Sequence, residues 1–173
     1  MWTPPDLTRR LKDEERLLAD VDLFATLPAE MRHQIAVESP MAVFGAGETI
    51  VKQGEEGQSM FVVLSGTVKV VLEPARAEVA RIEPGGYFGE MSVLTGEPRS
   101  ATVLAVDDVV AVEIVADLFR RLAAAHPEAI ERVGTAAMQR RTHLEHARNA
   151  TAAAVTAETT TLIMRMKKFL RLA

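Results

Sequence analysis

Apolar and polar positions follow two different periods along this chain, and the period changes twice. Over residues 6–20, Leu7, Leu11 and Leu18, with Val21 beyond them, recur at helical intervals, while Arg9, Arg10, Lys12, Asp13, Glu14, Glu15 and Arg16 gather on the opposite face. This spacing predicts an amphipathic helix with interspersed charges, a solvated face. A second helix is predicted over 28–38 with Pro28 in its first turn, and Leu23-Phe24 before it as core. From residue 41 the period shortens. Residues 41–44 and 48–52 read as strands around Gly45-Ala46-Gly47. Residues 59–65 form a strand joined by a glycine turn at Gly66 to 67–72, where Val68, Val70 and Leu72 alternate with Thr67, Lys69 and Glu73. Strands follow at 77–82, 101–106 and 109–115. Helical spacing returns at 116–125, and Pro127 opens a longer helix running to about residue 147.

Short strands at regular spacing with glycine turns predict an antiparallel β-roll or jelly-roll barrel. With N-terminal helices and two C-terminal helices around it, the fold class is α+β. The organisation expected is a helical segment over 1–38, the roll with its helices over 39–147, and a tail over 148–173. Nine of the 10 glycines lie between Gly45 and Gly96, so turns crowd the middle and helices flank it. In the tail, 149–161 is rich in Ala and Thr and reads as linker or weak helix, and 162–172 sets Arg165, Lys167, Lys168 and Arg171 among Leu162, Met166, Phe169 and Leu170. Such a tail either packs on its own domain or a partner subunit, or lies on a membrane surface, a membrane-associated reading.

Composition narrows the function. A 48% apolar fraction over 173 residues supports a real core, and a net charge of −4 argues against a nucleic-acid binder. There are no cysteines, hence no disulfide framework or thiolate metal site. No apolar run is long enough to span a bilayer, and the start carries no signal-peptide pattern. The four histidines, His33, His126, His143 and His146, all lie outside the expected barrel. A cupin-type metalloenzyme is therefore disfavoured, and His143 to His146 reads as a solvated helix face. No Ser/His/Asp arrangement has a supporting context. The expectation is a non-enzyme without metal or cofactor.

The chemistry concentrates in 85–102, Gly-Gly-Tyr-Phe-Gly-Glu-Met-Ser-Val-Leu-Thr-Gly-Glu-Pro-Arg-Ser-Ala-Thr. A short strand, Gly89, one turn of helix over 90–94 and a glycine/proline loop deliver Arg99 to the next strand. Gly89 lets a ligand approach the backbone, and the amides opening the helical turn form an anion site. Arg99 offers a fork of donors for two phosphate oxygens. Glu90 repels phosphate, so it fits only a ligand that also brings hydroxyl donors, as a ribose does. An anion plus hydroxyls in one small ligand points to a nucleotide.

Here the chain resembles the cyclic nucleotide-binding domain family. Phe88-Gly89-Glu90, Leu94 and Arg99-Ser100-Ala101 match that family's phosphate-binding cassette, and the resemblance extends over roughly 20–141. It implies that Glu90 binds the ribose 2′-hydroxyl and Arg99 the cyclic phosphate of cAMP or cGMP, with Phe88, Gly89, Met91, Ser100 and Ala101 around them. Alternation makes Val70 a wall for the base, and the resemblance adds Ile50. It also implies that the helix from Pro127 closes over the base as a lid. Where channel-type relatives place a capping arginine this chain has Gly134, and Gln139, Arg140 and Arg141 are the candidate substitutes.

Several parents share this domain. A catabolite-activator-type transcription factor needs a winged helix-turn-helix, and about 25 Ala/Thr-rich residues follow residue 147. A kinase regulatory subunit needs a second cassette, and Thr8-Arg9-Arg10-Leu11 matches a pseudosubstrate poorly. The flanks look like the cytoplasmic C-terminus of a bacterial cyclic nucleotide-gated channel, either potassium-channel type or mechanosensitive small-conductance-like. The resemblance then implies a cytoplasmic domain of an inner-membrane protein, a pore domain as partner and a homo-oligomer. A stand-alone cytosolic cyclic nucleotide-binding protein is the alternative.

Overall fold

A computed structural model describes residues 16, 18–21, 23–146 and 152–171, with side chains at 140, 142–146 and 152–160 outside the description. Most of the 6–20 helix, including Thr8 to Leu11, falls outside it; residues 18–20 are helical. Leu18, Val21, Leu23, Phe24 and Leu27 are buried ahead of helix α1 (Ala29–Glu38), whose N-cap is Pro28. The chain then runs through β1 (Met41–Phe44), β2 (Thr49–Val51), β3 (Ser59–Ser65), β4 (Val68–Leu72), β5 (Ala77–Ile82), β6 (Tyr87–Phe88), α2 (Glu90–Thr95), β7 (Thr102–Ala105) and β8 (Val109–Val115). Three helices close it: α3 (Ala116–Ala125), α4 (Pro127–His146) and α5 (Ala152–Leu170).

The strands form two antiparallel four-stranded sheets, ordered β1-β8-β3-β6 and β2-β7-β4-β5, the expected roll. Between the sheets Phe61, Val63, Val68, Val103, Val109 and Ala111 make an inner core. Phe61 stacks on Phe88 with centroids 5.2 Å apart and meets Phe44 edge-on. On the outer face of the first sheet, Met60, Val62, Val112 and Ile114 pack under the helices in a second, larger core. β3 and β8 are thus apolar on both faces, which is why their sequences read as near-continuous apolar runs.

Two expectations need correction. The turn at Gly66 does not make a hairpin, because β3 and β4 belong to different sheets. Gly66 sits at the corner with φ +81, where a Cβ would collide with the Asp108 carbonyl. The alternation in β4 breaks at a bulge between Val70 and Val71, so Val71 rather than Leu72 is fully buried. The tail resolves between its two readings. Helix α5 runs from Ala152, where the sequence reads as linker or weak helix, and buries Leu162, Met166 and Leu170, the last two in the larger core. Of the two readings of the tail, packing on its own domain is the one the structure takes: the apolar face is used within the molecule. Among the described residues no helix is long and apolar enough to cross a membrane.

Candidate functional site

β6 ends on Phe88, and the chain must turn at once to start α2. Gly89 makes that turn with φ +83, a left-handed conformation that suits a residue without Cβ. It is also tight: a Cβ there would lie 2.5 Å from Arg99 Nη1 and 3.2 Å from the Ser59 carbonyl. At its other end α2 stops at Gly96, φ +73, whose amide donates to the Ser92 carbonyl at 3.0 Å. Thr95 Oγ1 donates to the Met91 carbonyl at 2.7 Å and fixes the last turn.

The loop from Gly96 brings Arg99 back beneath the helix. Its backbone is tied to the loop after β2, with Arg99 N–H donating to the Glu55 carbonyl and Gly54 N–H to the Arg99 carbonyl, both 2.8 Å. The residue is only 8% exposed, and its side chain donates from Nη1 to the Gly89 carbonyl at 3.2 Å. Gly57 covers it from the other side; a Cβ at Gly57 would collide with the guanidinium and lie 2.8 Å from Ser92 Cβ. Two glycines and a serine thus leave room for one flat cation. Burial pulls the Arg99 pKa below the usual arginine value, and the Glu90 and Glu113 carboxylates oppose that. The group stays protonated across the physiological range. A desolvated guanidinium beside the opening turn of α2 is an anion cradle with an acceptor, Glu90, at its edge.

The structure brings most of the sequence-predicted residues to this place. Gly89, Glu90 and Met91 form the turn into α2, and Phe88 is buried in the inner core through its stack on Phe61. Ser100 is exposed and Ala101 half-buried at the entry to β7. Ile50 and Val70, the expected base wall, are half-buried against the inner core of the roll. Of the lid arginines, Arg141 lies 3.9 Å from Glu97 on the cassette loop, and the side chain of Arg140 is outside the described residues. Gly134 is buried, and a Cβ on it would collide with Met166 Sδ. The position is therefore a seat for α5. Among the described residues no group of three or more His, Cys, Asp or Glu is placed to hold a metal.

Sequence reasoning missed Gly57, Ser59 and Glu113. Ser59 is buried and donates from Oγ to Glu113 Oε1 at 3.0 Å, which holds that carboxylate on β8 facing Arg99's surroundings. The available signal was a single acid within the apolar run Val109–Val115.

Comparison with known proteins agrees with this geometry. Residues 41–126 match the family described as cyclic nucleotide-binding domain. The chain belongs to that family. As a cyclic nucleotide-binding domain it is similar to several curated proteins. It is 34% identical over 115 residues to a cGMP-dependent protein kinase of Eimeria tenella, covering 66% of this chain and 11% of the kinase. It is 33% identical over 126 residues to a cyclic nucleotide-gated potassium channel of Rhizobium etli, covering 73% of this chain and 35% of the channel. Among solved structures, the regulatory domain of Toxoplasma gondii PKA with cAMP superposes with a TM-score of 0.61 at 28% identity, covering 66% of this chain and 46% of that one. The domain spans about a third or less of these curated relatives.

Proposed function

We propose that this domain is a sensor that binds cAMP, and cGMP somewhat less tightly, and relays binding by helix movement to the gate of a membrane ion channel. The observation that carries the binding assignment is Arg99, buried between Gly57 and Gly89 with its guanidinium at the opening turn of α2. In this reading Arg99 and the α2 amides hold the cyclic phosphate and Glu90 accepts from the ribose 2′-hydroxyl. Phe88, Met91, Ser100 and Ala101 line the ligand, and Ile50 and Val70 face the base. The domain acts as a sensor rather than a catalyst and needs no cofactor.

Support for the channel output comes from the Rhizobium etli relative and from the way the helices connect. Phe119 of α3 stacks on Phe24 at 6.2 Å, and Arg121 reaches Glu38 at 3.2 Å, so α3 links the cassette side to the N-terminal segment. A pore domain joined before residue 1 would receive that displacement, and such a protein is a homo-oligomer with this domain on its cytoplasmic side. Kinase-type relatives match equally well, which keeps a stand-alone cytosolic regulatory protein as the second reading. The coding sequence upstream of Met1 distinguishes the two, since pore helices belong only to the first. Binding itself is tested by calorimetric titration with cAMP, cGMP and linear AMP. The cyclic nucleotides are expected to bind and AMP to bind far more weakly; equal binding of all three refutes the assigned cradle.

A further inference from the structure

Helix α5 lies against α2, α3 and α4, and its contacts fall on the segment that builds the anion cradle. Leu162, Met166 and Leu170, four residues apart, form its buried stripe. Phe169 presses on Gly96, the left-handed residue that ends α2. A Cβ at Gly96 would come within 2.6 Å of the Phe169 ring, so the seat exists only because the residue is glycine. Arg120 lies 5.0 Å from the centroid of the same ring. One residue on, Glu97 pairs with Arg165 of α5 at 2.7 Å and, through its other oxygen, with Arg141 of α4 at 3.9 Å. Lys167 pairs with Glu131 at 2.6 Å, and Met166 fills the notch at Gly134.

Gly96 and Glu97 join α2 to Arg99, so α5 clamps the link between the two halves of the cradle. Arg99 is 8% exposed as a residue, and the Gly57 and Gly89 backbones close on its guanidinium, where a Cβ on either would lie within 2.5 Å of it. In the cyclic-nucleotide reading, a phosphate that takes two of its donors competes with the Gly89 carbonyl for Nη1 and displaces the cassette relative to the Gly57 loop. The same shift moves the Phe169 seat. Exposed ion pairs such as Arg165–Glu97 contribute little by themselves, so the apolar seat carries most of the coupling.

From this placement we infer that α5 is a latch on the cradle, so that filling the cradle with cyclic nucleotide and docking α5 oppose each other. The inference rests on the cyclic-nucleotide reading of the site. Because linkage is reciprocal, loosening α5 must tighten ligand binding by the factor with which ligand loosens α5. The test titrates the parent, Phe169→Ala and Arg165→Glu with cAMP, and follows amide exchange over 161–171 with and without cAMP. Phe169→Ala is expected to bind at least about fivefold more tightly, with a smaller change of the same sign for Arg165→Glu. In the parent, cAMP is expected to speed exchange over 161–171. Unchanged or weaker binding in the variants, or slowed exchange there, overturns the latch while the binding assignment stands. If neither parent nor variants bind cAMP, the binding assignment falls and the latch with it. Should Phe169→Ala fail to fold, Arg165→Glu, changed at an exposed position, decides alone by the same signs.

Discussion

Arg99 holds a charge that its burial opposes, and the residues around it are chosen for size as much as for polarity. Gly57 and Gly89 leave no Cβ where the guanidinium lies, and Glu113, set by Ser59, adds a distant counter-charge. If this cation holds the cyclic phosphate, Arg99→Ala weakens cAMP binding by about 2–5 kcal/mol, because the ligand charge is left unpaired in a desolvated place. Calorimetry checks it, and parent-like affinity in the variant refutes the site. Discrimination between bases is expected to be slight. Ser100 is exposed and lacks the methyl that would fix its rotamer, so it holds a guanine amino group weakly. The cAMP and cGMP affinities should differ by less than about a hundredfold, roughly 2.7 kcal/mol, when titrated side by side. At this scale the sequence was legible where the site is contiguous. Gly89, Glu90 and Arg99 stand within eleven residues, whereas Gly57 arrives from a distant loop and Ser59 and Glu113 from other strands, with only Glu113 marked, as the one acid of an apolar run.

Among the elements, the roll and its first two C-terminal helices were legible because their periods are strong and glycines separate them. β3 and β8 announced themselves as strands, but their two buried faces hid which neighbour each would pair with. The glycine turn at Gly66 marks where β3 ends and not which strand it pairs with. Helix α5 was harder. Its first half mixes alanine, the best helix former, with threonine, a poor one, so local preference was indecisive. Burial of Leu162, Met166 and Leu170 decides it, and burial is not a local property. The seat at Gly134 gives a test. Alanine in place of this glycine should favour α4 by about 1 kcal/mol through backbone propensity. It must also displace Met166, and overpacking of that kind costs about 1–3 kcal/mol. Gly134→Ala is therefore expected to be neutral to destabilising in the parent by urea unfolding, and clearly less unfavourable in a Met166→Ala background. Equal effects in both backgrounds would mean that Met166 does not occupy the notch.

At the scale of the whole molecule, one core runs from Leu18 through α1, the outer face of the first sheet, and α2 to α5. The cassette helix is part of it through Val93 and Leu94, both essentially inaccessible. Ligand binding at the opening turn of α2 is thus linked to the stability of the helical layer as a unit. A ligand that binds the folded state alone stabilises it by about 2.7 kcal/mol at a free concentration a hundred times its dissociation constant. For a chain of this length, each kcal/mol raises the melting temperature by roughly 2–4 °C. Saturating cAMP should therefore raise a single unfolding transition by roughly 5–11 °C in a calorimetric scan. Arg99→Ala should lose most of that shift without lowering the starting transition greatly, since the guanidinium's burial is itself unfavourable. Leu94→Ala should do the reverse. It opens a cavity costing about 2–5 kcal/mol and lowers the starting transition, yet it leaves Arg99 and Gly89 to take the ligand. If cAMP instead split the scan into two transitions, with the helices melting apart from the roll, the shared core would not be coupling them. A displacement at the cassette would then have no path to the N-terminal segment.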